Sequence, residues 1–242
     1  MCAKELQKTS AKKLKLVVLS GAGISAESGI NTFRGAGGLW EGYDVRDVAT
    51  PQAWERDKEL VLRFYNERRR DIAAVEPNVA HRILAELQEE YEVKIITQNI
   101  DNLHEKAGSQ DVLHLHGEIT KAFSSVGHKH LHDIGFEDIN LGDKCPNGHQ
   151  IRPFIVWFGE DVPLIPAAVE QVSTADVVLV IGTSLEVYPA AGLVTIANPH
   201  VPIYVIDPND ITHKIDVPNK VIHIQKGGSE GMQEFRAIIG EV

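Results

Sequence analysis

Cysteine is nearly missing: Cys2 and Cys145 are the only two among 242 residues. That leaves no basis for a disulfide framework and rules out a four-thiolate metal site. No uninterrupted apolar run reaches the roughly 18 residues of a membrane span. The Lys-rich start leads into LKLVVLSGAG, whose apolar part is too short for a secretory leader. The expectation is a soluble chain with a cytoplasmic setting and no membrane partner. Positive charge is also in deficit, with 24 Lys and Arg against 34 Asp and Glu and a formal net charge of −10. This opposes binding to phosphate backbones, so no nucleic acid is expected, whereas a cationic, lysine-bearing partner would be drawn in. Low-complexity tracts, internal repeats and Pro/Ser-rich linkers are lacking too. With 43% apolar residues, the chain can bury one large core, with or without a small appendage. Nothing in it speaks to oligomeric state.

What is present is a recurring unit, an apolar run ending at or near glycine. It appears at 14–21 (LKLVVLSG), 93–99 (VKIITQN), 112–117 (VLHLHG), 154–159 (FIVWFG), 177–182 (VVLVIG), 202–207 (PIYVID) and 221–227 (VIHIQKG). Several are β-branched without clean alternation, as in strands buried on both faces of a parallel sheet. Helical stretches lie between them; in 77–91, Pro77 stands near the start and Ala80, Ile83, Leu84 and Leu87 share a face. The fold class read from this is α/β, a Rossmann-like doubly wound parallel sheet with a small inserted lobe. Residues 12–35, 77–119 and 153–242 supply the large lobe. Two inserts, a mostly helical 36–76 and a polar 120–152, supply the small one.

Gly21, Gly23 and Ala26 fit G-x-G-x-x-(G/A) directly after the first run, where backbone N–H groups and a helix start can hold a pyrophosphate. A bare tight turn would give the same pattern. A dehydrogenase would place an acid at the end of a second strand about 20 residues on, but TFRGAGGLW follows instead. A P-loop would need G-K-(S/T), which is missing. In open α/β sheets ligands sit beyond the carboxyl ends of the strands. There the chain carries Gln98, Asn99, Ile100 and Asp101, then His116 and Gly117, then Gly182, Thr183 and Ser184. These groups offer both donors and acceptors, suited to ribose and carboxamide. No G-x-S-x-G marks a serine hydrolase.

GAGISAESGINTFRG, TQNIDNLHEKAG, HLHG, RPFIVWFGE and GTSLEVYPAA together resemble the motif set of the sirtuins, NAD-dependent protein-lysine deacylases, from about Leu16 to Met232. The resemblance implies a large lobe binding NAD, a small lobe beside it, and acyl-lysine side chains of protein substrates entering between them. It places Gly21, Ala22, Gly23, Ile24 and Ser25 on the pyrophosphate and nicotinamide side, and Phe33 and Arg34 on a loop covering the cofactor. Gln98, Asn99, Ile100 and Asp101 fall on the ribose and carboxamide side; Gly182, Thr183 and Ser184 fall on the adenosine side. Asp207 stands where the family usually has asparagine against the ribose, and Gly228 near adenine. Val156, Phe158, Gly159 and Glu160 resemble the turn that pairs with the substrate backbone. The implied reaction is displacement of nicotinamide by the acyl oxygen, after which His116, helped by Asn99, serves as general base on a ribose hydroxyl and the acyl group passes to ADP-ribose. An imidazole with an unperturbed pKa of ~6.5 suits that role. His114 stays open between a site residue and a core histidine bonded to a carbonyl.

Tyr65 and Arg68 lie three apart, on one face of a helix. A phenol and a guanidinium form a receptor for a carboxylate, and the pair resembles that of sirtuins removing succinyl or malonyl groups; a solvated basic run with Arg69 and Arg70 is the plainer alternative. Most sirtuins also hold a structural zinc with two Cys-x-x-Cys pairs. Here Ser124 and Gly127 fall on the first pair and only Cys145 remains of the second, so no metal is expected, although His128, His130, His132 and His149 lie nearby. The competing functions are ADP-ribosyl transfer or NAD hydrolysis on the same fold, and a non-catalytic NAD-sensing module.

Overall fold

The computed structural model describes residues 12–31, 43–127 and 129–240. Nine strands and seven α-helices appear among them, in the order β1 (Lys15–Ser20), α1 (Val45–Val48), α2 (Pro51–Arg56), α3 (Lys58–Ala73), α4 (Val79–Glu86), β2 (Glu92–Thr97), α5 (Leu103–Lys106), β3 (Val112–His114), β4 (Gly117–Ser124), β5 (His132–Asp133), β6 (Ile151–Ile155), α6 (Ile165–Ser173), β7 (Val177–Ile181), β8 (Ile203–Ile206), β9 (Val221–Ile224) and α7 (Gly228–Ile239).

Six strands form a parallel sheet in the order β3-β2-β1-β7-β8-β9. Successive side chains of a strand point to opposite faces, and β1 uses both. Leu16 and Val18 pack with Ala80, Ile83 and Leu84 of α4 and Met232 and Phe235 of α7. Val17 and Leu19 pack with Ala168 and Val172 of α6 and with Leu193 and Val194. Each face needs its own apolar partner, hence unbroken Leu/Val/Ile runs instead of alternation. The chain winds from β1 to β2 and β3, then returns to β7 on the other side of β1, so the strand order reverses between β1 and β7. A crevice opens at such a reversal.

A second sheet of three strands, in the order β5-β4-β6, is antiparallel. One correction concerns the run at 154–159, read from sequence among the strands of the parallel sheet. Its first two residues end β6, which pairs antiparallel with β4, and Val156, Trp157 and Phe158 continue as a turn. Ile155 and Trp157 are buried as the run implied, but within the small lobe's core, against Trp54, Val61, Tyr65 and Ile119. Likewise the run at 112–117 ends as a strand at His114. Helix α3 starts on Asp57, whose carboxylate accepts from the Leu60 N–H, and lays Val61, Leu62, Phe64 and Tyr65 against that second sheet.

Candidate functional site

The reversal point is closed by backbone contact. Gly21 N–H donates to Ile181 O at 3.1 Å and Gly23 N–H to Gly182 O at 2.8 Å. A Cβ on Gly23 would stand 2.7 Å from the Gly182 Cα, and Gly182 itself has φ +62° with the Ile24 nitrogen 2.2 Å from where its Cβ would be. Only glycine permits this crossing. The turn that follows, Ala22–Ser28, is a 3-10 helix tied to α4 by Asn78, whose amide donates to Ile24 O at 2.7 Å.

Between this turn, the strand ends and the small lobe lies a cleft of about 1130 Å³. Of the residues singled out from sequence, it brings together Gly21, Ala22, Gly23, Tyr65, Arg68, Gln98, Asn99, Ile100, Asp101, His116, Val156, Phe158, Gly159, Glu160, Gly182, Thr183, Ser184, Asp207 and Gly228. Ile24 and Ser25 are fully buried behind the wall: Ile24 in the sheet core, Ser25 in a polar knot. Phe33 and Arg34, and His128, lie outside the described residues. The reading from sequence missed the stretch Glu186–Pro189, which lines the same cleft and follows Ser184 and Leu185 in the quoted motif. It also missed Asp71.

In the polar knot, Ser25 Oγ donates to Asp101 Oδ2 at 3.1 Å, and Asn99 Nδ2 donates to Gly21 O and Ser25 Oγ, both at 3.2 Å. Burial raises the pKa of Asp101 against the hydrogen bonds from Leu103 and Ser25. Deeper still, His81 and His104 meet edge to face with ring centres 4.9 Å apart. Burial drives His81 down to about 4 and His104 well below its usual range, so both are neutral. No sequence spacing pointed to this pair.

His116 Nδ1 lies 3.1 Å from Gln98 O. A carbonyl only accepts, so Nδ1 carries the proton and Nε2 keeps its lone pair. Burial lowers the His116 pKa against that hydrogen bond, which keeps the ring neutral near pH 7. Tyr65 is 4% exposed and its hydroxyl accepts from Trp157 Nε1 at 3.0 Å, leaving its own proton for a second partner. Arg68 packs its guanidinium 5.3 Å from the centre of the Phe64 ring. Its carboxylate neighbours, Asp71 at 3.6 Å and Glu67 at 4.0 Å, are beyond hydrogen-bond range, and its Nε is buried with no hydrogen-bond partner.

In the turn after β6, Val156 N–H donates to His116 O, Phe158 N–H to Ala49 O and Glu160 N–H to Trp157 O, each at 3.0 Å. The Glu160 carboxylate accepts two bonds of 2.9 Å from Arg152 and one of 2.8 Å from Trp157 N. It therefore holds the turn together. Among the described residues no group of three or more His, Cys, Asp and Glu is placed to hold a metal. The donor set at the positions of the zinc ligands does not fit that ion. It offers the Cys145 thiol, Gly127 without a side chain, and the Ser124 hydroxyl, which donates to Val126 O at 3.0 Å.

The model of the Sir2 family matches residues 21–189. A protein of Bacteroides thetaiotaomicron named NAD-dependent protein deacylase is 50% identical over 231 residues, covering 93% of this chain and 97% of that protein. One of Aggregatibacter actinomycetemcomitans with the same name is 57% identical over 196 residues, covering 81% and 94%. Among solved structures, a variant Sir2 homologue in complex with ADP-ribose superposes with a TM-score of 0.85 at 36% identity, covering 99% of this chain and 97% of that one. A Sir2 homologue complexed with NAD gives 0.83 at 36% identity, covering 95% and 90%.

Proposed function

The chain belongs to the Sir2 family, and on that premise we propose a deacylase that prefers acidic acyl groups on lysine. It is an NAD-dependent protein deacylase acting on acylated lysine. Succinyl or malonyl as the preferred acyl group, and the roles given to individual residues below, are the part that is our own reading.

The residues fit the dinucleotide. Gly21, Gly23 and Gly182 keep a bare backbone where side chains would fill the cradle, with Ala22 beside them. Gln98, Thr183, Ser184 and Asp207 offer partners for sugar hydroxyls, and Gly228 opens a helix at the same end. Ile24 and Ser25 act from behind the wall, and Phe33 and Arg34 are taken as the cover. NAD supplies the labile glycosidic bond and the ribose that receives the acyl group. Asn99 and Asp101, braced by Ser25, present an amide and a carboxyl to the nicotinamide side, with Ile100 as apolar floor. His116 takes a proton from a ribose hydroxyl at Nε2, while the Gln98 carbonyl keeps its other nitrogen protonated. The turn of Val156, Phe158, Gly159 and Glu160 has spent three of its N–H groups internally, which leaves its carbonyl side for the substrate backbone.

Arg68 carries the acyl preference. A buried guanidinium Nε without a hydrogen-bonded partner, beside a Tyr65 hydroxyl with a proton to give, suits a carboxylate entering from the cleft. An acetyl group would leave the cation as it stands. The small lobe is taken to be metal-free, and a cytoplasmic setting accords with a chain of two cysteines. The test is kcat/KM for one peptide carrying succinyl-, malonyl- or acetyl-lysine. A preference for the acidic groups of about tenfold or more supports the reading, and preference for acetyl overturns it.

A further inference from the structure

Strands β2 and β3 set Thr97 opposite His114. Just beyond, two imidazoles grip two consecutive peptide carbonyls: His116 Nδ1 meets Gln98 O at 3.1 Å, and His114 Nδ1 meets Asn99 O at 2.9 Å. The other nitrogen of His114 ends differently. Its Nε2 lies 2.8 Å from Glu105 Oε1 on α5. His114 does not line the cleft and is 6% exposed, so it cannot act on substrate directly.

Both partners of His114 are acceptors. A neutral imidazole has one N–H and one lone pair, so in either tautomer a lone pair would face an oxygen at hydrogen-bond distance. Only the doubly protonated ring donates to both. Burial works against that charge, but the hydrogen bond and charge of Glu105, with the Asn99 carbonyl, outweigh it and leave the His114 pKa raised. Burial likewise pushes the Glu105 carboxyl up, and His114 more than reverses it. The other charged or titratable groups facing the pair are Glu118 and Lys121 on β4, His81 on α4 and His104 on α5, both neutral, and buried Asp101. Glu118 adds to the attraction, while Lys121 favours the ionised form of Glu105.

We propose that His114 is a positioning residue for deacylation: clamped as an imidazolium between Glu105 and the Asn99 carbonyl, it fixes the Gln98–Asn99 segment that presents the Asn99 amide and sets the tautomer of His116. This rests on the deacylase reading, with His116 as its base. The two neighbouring imidazoles then need opposite states, His116 neutral and His114 charged. The rate profile is bell-shaped, with an acid limb where His116 gains a proton and an alkaline limb where His114 loses one.

The test is kcat against pH, on whichever of a succinyl and an acetyl peptide is turned over faster, for the wild-type protein and Glu105→Gln, together with 15N NMR of labelled histidine side chains, His114 being assigned by its loss in His114→Gln. In Glu105→Gln the alkaline limb moves down by on the order of one pH unit, kcat above it falls by up to about tenfold, and the acid limb and the peptide KM stay. In the wild type at pH 6.5, the ordinary histidine value, His114 is mostly doubly protonated and His116 mostly neutral. An alkaline limb that does not move in Glu105→Gln, or a His114 that is mostly neutral at pH 6.5, overturns the proposal. Failure of the deacylase reading looks different, with no turnover at any pH. In that event the protonation of His114 still decides whether the clamp exists.

Discussion

Arg68 and Asp71 stand on successive turns of α3 with 3.6 Å between guanidinium Nε and carboxylate, close enough to attract and too far apart to hydrogen-bond. An incoming carboxylate would make the charge-assisted bonds that Asp71 does not. Such bonds contribute about 1.5–3 kcal/mol each. Arg68→Met is therefore expected to lower kcat/KM on succinyl peptide by roughly 10- to 100-fold and to leave the acetyl peptide within about threefold. Parallel loss on both substrates would show that Arg68 supports the fold instead of the acyl group.

His116→Ala removes the proposed base, and turnover should drop by on the order of 10² to 10⁴, with NAD binding retained by calorimetry. Because burial lowers the His116 pKa, the acid limb of kcat lies below the ordinary histidine value of ~6.5. A limb at or above that value would mean another group titrates.

Acid stability reports on His81. It is fully buried and its pKa falls from 6.5 to about 4. The unfolded chain takes up the proton as pH drops below 6.5 and the folded chain does not, so stability is full above 6.5 and is lost progressively toward pH 4. The loss reaches roughly 3 kcal/mol. Thermal melts across this window should show a shallower dependence of Tm on pH in His81→Asn than in the wild type. Identical slopes would assign the acid sensitivity elsewhere.

A metal-free small lobe, as proposed above, has to be pinned by its own side chains, and Asn66 does much of this. Its amide donates to Ile139 O at 2.9 Å, its oxygen accepts from Ile139 N at 3.0 Å, and Arg69 Nη1 donates to the same oxygen at 2.6 Å. Asn66→Leu leaves buried polar groups unpaired at about 1–3 kcal/mol each, and at roughly 2–4 °C per kcal/mol for a chain of this length Tm should fall by about 5 °C or more. Dialysis against a strong chelator should change neither Tm nor activity. Stoichiometric zinc in the purified protein would contradict the metal-free reading.

The large lobe could be read from the chain because strands buried on both faces demand unbroken β-branched runs, and because polar residues at their ends have no structural reason to cluster. The run at 154–159 misled for the same reason. An apolar stretch records burial, as for Ile155 and Trp157, but not which sheet supplies the neighbours. Glu160 sits in the turn after β6 with its carboxylate facing inward to Arg152, and no spacing reveals that. Ser25 follows the glycines in sequence but sits behind them in space. The link from His114 to Glu105 joins a strand to a helix nine residues earlier, so neither the 2-residue nor the 3.6-residue period can expose it.

Acyl transfer to ADP-ribose with His116 as base leaves a distinctive pair of products. Mass spectrometry of the products from NAD and a succinyl-lysine peptide tests it most directly. The wild-type protein should give succinyl-ADP-ribose and free nicotinamide in equal amounts; His116→Ala should give no succinyl-ADP-ribose beyond background and no more than about one nicotinamide per protein molecule, because His116 acts after nicotinamide has left. Nicotinamide release without any acyl-ADP-ribose, unchanged by the substitution, would contradict it.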